Sequence, residues 1–522
     1  MSEYNGIAEE QLGVKTARKG TVYVLSRIVS AAATLLILIF LTRFLGPVEY
    51  GLYAIAVAFT SVLGMSGNFG LGTTTRKKLP ESKEKRRRNE LLSNTYSIAL
   101  VGSGIITIIG IAISGYIAVH IYGNASLYLP LVVASLTVFL SVLYNVSNSV
   151  LVASDRVRNA AVCNIMYSFI QLAVIVAMVS AGYSIFGALA GLAVGLGAGV
   201  VLALVYIYRH AKFRFVLPSM KVARELLGFS VPIMVSNVAY VGIANLAIDL
   251  LGVIVAPGVI GSFGAAYKLG KTFDVILISS TFVLLPALTR AAADPKLSKK
   301  MSEIYNTSVF YLVLLVTPIL VFLIVAAKYI THMLFSSAYP LSGLYFAFIS
   351  IGITAQVISS FAGTLIISYG NTKEFMKYQI IGVVVEFVLL IFLIKYIAVY
   401  GAILSLFIIG PMIINYMYIR MLRREFKIRL NYAKLARIMT LGVAIWAALT
   451  IANAYITGYI SILVDLVGVM VLYPPLAAIT RTVNASNISF MKKMTSGIPV
   501  IGSIMGFMAT YAAKFVGSPT KE

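Results

Sequence analysis

A single cysteine, Cys163, leaves this 522-residue sequence without a disulfide framework or a cysteine metal cluster. Its three histidines, His120, His210 and His332, are isolated and fall near the ends of apolar segments, so no metal site is expected. Acidic residues are scarce, 18 Asp and Glu against 42 Lys and Arg. No acidic constellation and no sizeable outer loop is present to face a sugar donor, which argues against polymerase or glycosyltransferase chemistry. No G-x-x-x-x-G-K-S/T pattern occurs either, so ATP hydrolysis is not expected. Nothing here calls for a catalytic residue or a cofactor, and the chain does not read as an enzyme.

What it has in abundance is apolar surface. Hydrophobic residues make up 60 % of the chain and charged residues 11 %, with mean hydropathy +0.93. The apolar residues come in runs of about 20, the length that crosses a bilayer. Continuous runs mean helices, because backbone groups in hydrocarbon must satisfy one another. The fold class is therefore all-α, a multi-pass membrane protein.

A net charge of +24 would suggest nucleic acid in a soluble protein. Here about 36 of the 42 Lys and Arg fall in alternate loops and tails, which is the positive-inside pattern. Arg43, Lys328 and Lys395 lie on the opposite face, and Arg27, Lys268 and Lys271 inside spans. The charge therefore reports topology and contact with anionic membrane lipids, not nucleic acid. Residues 1–20 are mixed in charge and the first apolar run lacks a cleavage site, so a cytoplasmic N-terminus and an uncleaved first span are expected.

The apolar runs predict fourteen spans. Six (21–42, 50–72, 91–119, 127–150, 159–181, 184–208) make an N-lobe over 21–210. A basic linker, 211–228, leads to six more (229–255, 260–289, 303–327, 341–368, 375–395, 398–420) in a C-lobe over 229–420. A last pair follows at 433–456 and 459–480, then a basic tail, 481–522, whose residues 498–513 read as an interfacial helix in preference to a fifteenth span. RKKLPESKEKRRRNE (Arg76–Glu90) reads as a solvated basic loop, and the longest outer connection as Lys328 to Pro340.

The two lobes repeat. TRFLGPVEYGLY (Thr42–Tyr53) returns as VIVAPGVIGSFGAA (Val253–Ala266), placing Pro47 on Pro257, Gly51 on Gly261 and Tyr53 on Phe263. Each proline ends one helix, lacking an amide donor and disfavouring helix just before it. Ser154–Asn164 corresponds to Tyr369–Gln379, Ile185–Leu192 to Val399–Leu406, and Gln171 to Glu386. Six spans per repeat set both in the same direction, with a cavity between them expected, as in parallel-repeat transporters.

LTRFLGPVEYGLYAIAVAF, followed by NFGLGTTTRKKLPE, resembles the opening of Wzx-type polysaccharide and oligosaccharide flippases. These belong to the multidrug/oligosaccharidyl-lipid/polysaccharide exporter superfamily. Asn245–Arg290 looks like that family's seventh and eighth spans. The resemblance implies a two-lobed bundle that moves lipid-linked oligosaccharide between leaflets by alternating access. It also implies a monomer in the cell membrane, working beside glycan assembly enzymes. The competing reading is a cation-coupled multidrug antiporter of the same superfamily; the first six spans contain no acid, and Arg27 lies in the first, which favours an anionic substrate.

Charges inside spans are costly, so they are the candidate site. Arg27 could meet a phosphate bidentately, or snorkel to the headgroups. Lys268, Lys271 and Asp274 are spaced by three on the eighth span and share a face. Lys271 could pair with Asp274, and Asp249 with Lys268, either as a fixed network or as a phosphate or cation site. Gln171 and Glu386 lie at equivalent depths; Glu386 and Asp249 are the ion-coupling candidates. Arg76 and Arg290 could guide headgroups, although topology alone accounts for them.

Overall fold

The computed structural model describes residues 2–82, 84–211, 216–272, 300–369, 371–485, 487–489 and 510–515. Among them every regular element is a helix. Asp274, Arg290 and most of the expected interfacial helix at 498–513 lie outside the described residues.

Helix α1 (Ser2–Gly67) is interrupted once, at Gly46 (φ 71°, ψ 175°) before Pro47. That backbone conformation suits a residue without Cβ, and the proline that follows fixes the start of the next helix. α2 (Leu71–Glu81), α3 (Lys85–Tyr116), α4 (Tyr128–Ala153), α5 (Val157–Met178) and α6 (Ser184–Ala211) follow over the stretch expected as the N-lobe. α7 (Met220–Ile254) and α8 (Pro257–Thr272) begin the stretch expected as the C-lobe. Then come α9 (Met301–Val325), α10 (Ala327–Phe335), α11 (Ser342–Ser368), α12 (Thr372–Ile403), α13 (Gly410–Glu425), α14 (Tyr432–Ala452) and α15 (Ile460–Ile479).

Nine stretches among the described residues are long and apolar enough to cross a membrane. Three of them, Leu25–Glu81 (57 residues), Val157–Arg209 (53) and Lys373–Glu425 (53), are long enough to cross twice. At 1.5 Å per residue, 53 residues reach ~80 Å against a hydrocarbon core of ~30 Å. Each contains a break: Gly46, Ser184 (φ 46°, ψ −128°) and Ala398 (φ 45°, ψ −120°). Ser184 and Ala398 are the residues that the sequence repeat sets opposite each other, and they share one strained backbone conformation.

Two expectations are revised. Among the described residues the Arg76–Glu90 run is helical except at Ser82 and Glu84, supported by Arg86 and Arg87 pairing with Glu90 one turn on. The outer connection from Lys328 to Pro340 holds most of α10, a helix of about two and a half turns, and is not simply a loop.

The chain clusters into two compact units. The first comprises Met1–Ser279 and Gln379–Ala402. In it, α5 and α6 pack closely because Gly187, Gly191, Gly195 and Gly199 form a bare ridge four residues apart. A Cβ on Gly191 would stand 2.3 Å from Ile175, and one on Gly195 2.8 Å from Gln171. The core here joins Leu71, Tyr96, Val146, Val150, Cys163 and Ala203.

The second unit comprises Ser280–Tyr378 and Ile403–Glu522. Its core gathers Tyr305, Phe310, Phe361, Tyr418, Ile438 and Tyr473. Tyr473 donates to the Leu314 carbonyl at 2.8 Å, tying α15 to α9. The membrane acid Asp465 is fully buried and accepts from Asn453 at 3.1 and 3.2 Å, one per oxygen, which fastens α15 to the end of α14.

Candidate functional site

The hinge after Leu45 does more than turn the chain. α1 packs along α8, and the two hinge segments of the repeat interlock. A Cβ on Gly51 would stand 1.9 Å from the Pro257 carbonyl oxygen. A Cβ on Gly261 would stand 2.0 Å from the Pro47 oxygen. Each proline carbonyl thus faces the bare Cα of the other hinge's glycine, a reciprocal contact in which only glycine fits. Glu49, in the same hinge, accepts a hydrogen bond from the Ser184 hydroxyl and so pins the strained turn between α5 and α6.

α7 is held at both ends by the first repeat. At its hinge end, the Tyr122 hydroxyl donates to Asp249 Oδ1 at 3.3 Å, and the Tyr122 ring lies against Gly252. At its other end, Glu225 pairs with Arg87 and with Lys78, the latter at 3.3 Å. Lys77 sits 4.6 Å over the Phe229 ring. Gly70 (φ +68°) abuts the Ser230 backbone, and a small apolar cluster of Leu91, Val222 and Leu226 closes that end. Burial pushes the Glu225 carboxyl up, but hydrogen bonds and charge from Arg87 and Lys78 outweigh it and hold the carboxyl below the usual carboxylate range.

The intramembrane charges fall as follows. Lys268 on α8 is exposed on the helix surface, and no acid pairs with it among the described residues. The expected Asp249–Lys268 pair is not made; Asp249, half-buried, takes Tyr122 in its place. Lys271, one turn beyond Lys268, lies 6.0 Å over the Tyr267 ring and within electrostatic reach of Glu386. Glu386 is 6 % exposed, so Lys271 is the cation that accompanies its burial. The Lys271–Asp274 pairing falls outside the described residues.

Arg27 is exposed on α1, one turn before Ser30. Gln171 is buried against α6 at Gly195, in the packing seam of α5 and α6. Arg76 is exposed on α2, next to the Lys77 and Lys78 that clasp α7. The structure therefore brings Lys271 and Glu386 within electrostatic reach, leaves Lys268 one turn away on the same helix, and sets Gln171 apart in a helix seam. Tyr122, Glu49 and Glu225 are additions; only the EYG of the hinge motif hinted at one of them.

Residues 40–342 match the protein family described as "Polysaccharide biosynthesis protein". No curated protein matches the sequence. Among solved structures, the chain is similar to one titled "Lipid II flippase MurJ, inward closed conformation". That likeness has TM-score 0.73 and 14 % identity, covering 89 % of this chain and 98 % of the other. It is also similar to inward-facing and outward-facing conformations of a multidrug resistance MATE family transporter of the MOP superfamily. Their TM-scores are 0.62 and 0.55, each at 14 % identity, covering 77 % and 78 % of this chain and 94 % and 95 % of those. At that identity the likeness is one of fold, and the fold is that of polytopic transporters.

Proposed function

This chain belongs to the polysaccharide biosynthesis protein family, and from that premise we propose that it flips a lipid-linked oligosaccharide from the cytoplasmic to the outer leaflet. The carrier is a polyprenyl phosphate or pyrophosphate. No bond is broken. The barrier to lower is desolvation of sugars and phosphate, which hydrocarbon excludes. The single observation that carries this reading is Lys268, an ammonium on α8, within the expected eighth span, with no acid beside it among the described residues. Such a group is costly in a membrane and expects an anionic visitor. Lys271 extends the positive face, and Arg27, in the first span, is the fork that would receive the phosphate from the inner leaflet.

Alternating access then requires the two ends of α7 and α8 to open in turn. The glycine–carbonyl interlock closes the outer end, and the Glu225 clasp the cytoplasmic one. The basic helix ends of α2 and α3, Arg76 to Arg88, rest near anionic lipids. The protein acts as a monomer in the cell membrane, beside the enzymes that build its cargo, driven by an ion gradient or by the cargo's own gradient.

The cation-antiporter alternative needs acids free to take up a cation. Asp249 is engaged by Tyr122 and Glu386 lies near Lys271, which supports the flippase reading over it. The deciding experiment compares a deletion strain carrying wild type, Arg27→Ala or Lys268→Ala. Both variants insert normally and abolish glycan export, with lipid-linked glycan accumulating on the cytoplasmic side. Normal surface glycan in both removes the phosphate site; drug sensitivity without a glycan defect establishes the antiporter.

A further inference from the structure

Inside the first unit, α4 and α5 carry polar residues where apolar ones would pack as well. Asn164 is 6 % exposed and Asn148 4 %. Asn164 Oδ1 accepts from the Tyr144 hydroxyl at 2.6 Å and from Asn148 Nδ2 at 3.1 Å. Asn148 Nδ2 also donates to the Ala160 carbonyl at 3.3 Å, so it is a donor and fixes which end of the Asn164 amide is oxygen. The Asn164 Nδ2 is left buried, with no acceptor among the described residues. A buried amide donor without a partner is the costly half of an unmade hydrogen bond, so the site is incomplete as it stands.

The surroundings indicate what completes it. The missing partner is an acceptor, which a cation or a protonated amine cannot supply. No charged side chain takes part in this network, so it does not call for an anion either. The Tyr144 and Tyr167 rings lie 5.1 Å apart, inclined at 38°, both half-buried. Gly199 on α6 makes room for the Tyr144 ring, which a Cβ there would meet at 2.7 Å. Ring faces take the apolar C–H side of a sugar, and the orphan amide takes a hydroxyl or ring oxygen. The Ser30 hydroxyl donates to the Asn164 main-chain carbonyl at 3.3 Å, which ties α5 at this residue to α1 one helical turn from Arg27.

We infer that Asn164, with Tyr144 and Tyr167, forms the subsite for the first sugar of a lipid-linked glycan whose phosphate is met by Arg27. This rests on the flippase reading and names its cargo's second recognition element: charge at Arg27, hydroxyl geometry at Asn164.

The test measures equilibrium binding of two probes to the purified full-length protein in detergent. One is undecaprenyl pyrophosphate; the other is the same lipid bearing a single N-acetylglucosamine. Asn164→Leu weakens the sugar-bearing probe about tenfold, or 1.4 kcal/mol, and leaves the bare lipid within about twofold. Arg27→Ala weakens both. Tyr167→Leu makes none of the network's hydrogen bonds and still weakens only the sugar-bearing probe, which keeps the test open if Asn164→Leu does not fold. Equal weakening of both probes by Asn164→Leu and Tyr167→Leu, with a lowered melting temperature, marks a structural brace and overturns the subsite while the flippase reading stands. Equal affinity of the wild type for both probes overturns it as well. A wild type that binds neither probe sinks the phosphate reading, and the subsite with it.

Discussion

Alanine at Gly51 presses directly on the contact between the two hinges. Its methyl would stand 1.9 Å from the Pro257 oxygen and 2.7 Å from the Pro257 carbonyl carbon. An aliphatic carbon and a carbonyl oxygen rest at roughly 3.3 Å, so the two backbones must part by ~1.4 Å. Both opposing atoms are main chain, and no side-chain rotation relieves the clash. Overpacking costs ~1–3 kcal/mol, and the lost Cα–H···O contact roughly 0.5–1 more, giving about 1.5–4 kcal/mol of destabilisation. Gly261→Ala, 2.0 Å from the Pro47 oxygen, should cost the same. The two alanines push on one contact, because the Gly51 methyl also comes 3.0 Å from the Gly261 nitrogen. Once the first has parted the hinges the second adds little, and the double variant falls short of the sum by about 1 kcal/mol or more. Thermal unfolding in detergent measures this. A second assay uses Val48→Cys with Gly258→Cys in a Cys163→Ser background. A Cβ at Gly258 would lie 3.6 Å from Val48 Cγ2, within disulfide reach. Oxidation should link the hinges quickly, and several-fold more slowly once Gly51→Ala is added. Additive costs, or unchanged cross-linking in Gly51→Ala, would refute the interlock.

The Glu225 clasp should respond to salt and to strong acid, not to physiological pH. An acid with depressed pKa contributes fully above the ordinary carboxylate range and loses its contribution only as pH falls through the lower, folded value. Local unfolding of the α2–α3 end, followed by limited proteolysis, should be flat between pH 5 and 8 and rise below about pH 4; a transition near pH 6 abolished by Glu225→Gln would contradict this. Exposed pairs contribute ~0.2–1 kcal/mol each, and high salt should mimic Glu225→Gln. Asp465→Ala strips the Asn453 amide of its acceptors and should lower stability by about 1–3 kcal/mol without altering glycan export. Loss of export at unchanged stability would place Asp465 in the transport path.

The frame of the molecule is written openly in the chain. Runs of about 20 apolar residues fix helices and their order, because hydrocarbon allows no other backbone solution. The Pro47/Pro257 and Gly51/Gly261 correspondence marks both hinges, and the match of Ser184 with Ala398 carries through to the backbone angles. Azimuth is what the sequence withholds. Asp249 and Lys268 sit at depths that would let them pair, yet depth along a helix says nothing of rotation about it, and Asp249 faces Tyr122 instead. The Arg76–Glu90 run shows charge without showing that its i,i+4 pairs and the α7 surface stabilise helix there. Asn148 and Asn164 did leave a trace: amides within apolar spans, at spacings that keep them on one face with Tyr144 and Ser168. Neutral amides carry a weaker signal than full charges, because hydrocarbon penalises them far less.

The hinge contact has a bearing on how such a chain arises. Each hinge holds both halves of the contact, an outward carbonyl at its proline and a bare Cα at its glycine four residues on. A protein of half the length would carry everything needed to bind a second copy of itself isologously. Fusing two such copies end to end would preserve that handshake without inventing it, and thereafter any drift in one glycine is felt by the opposite proline.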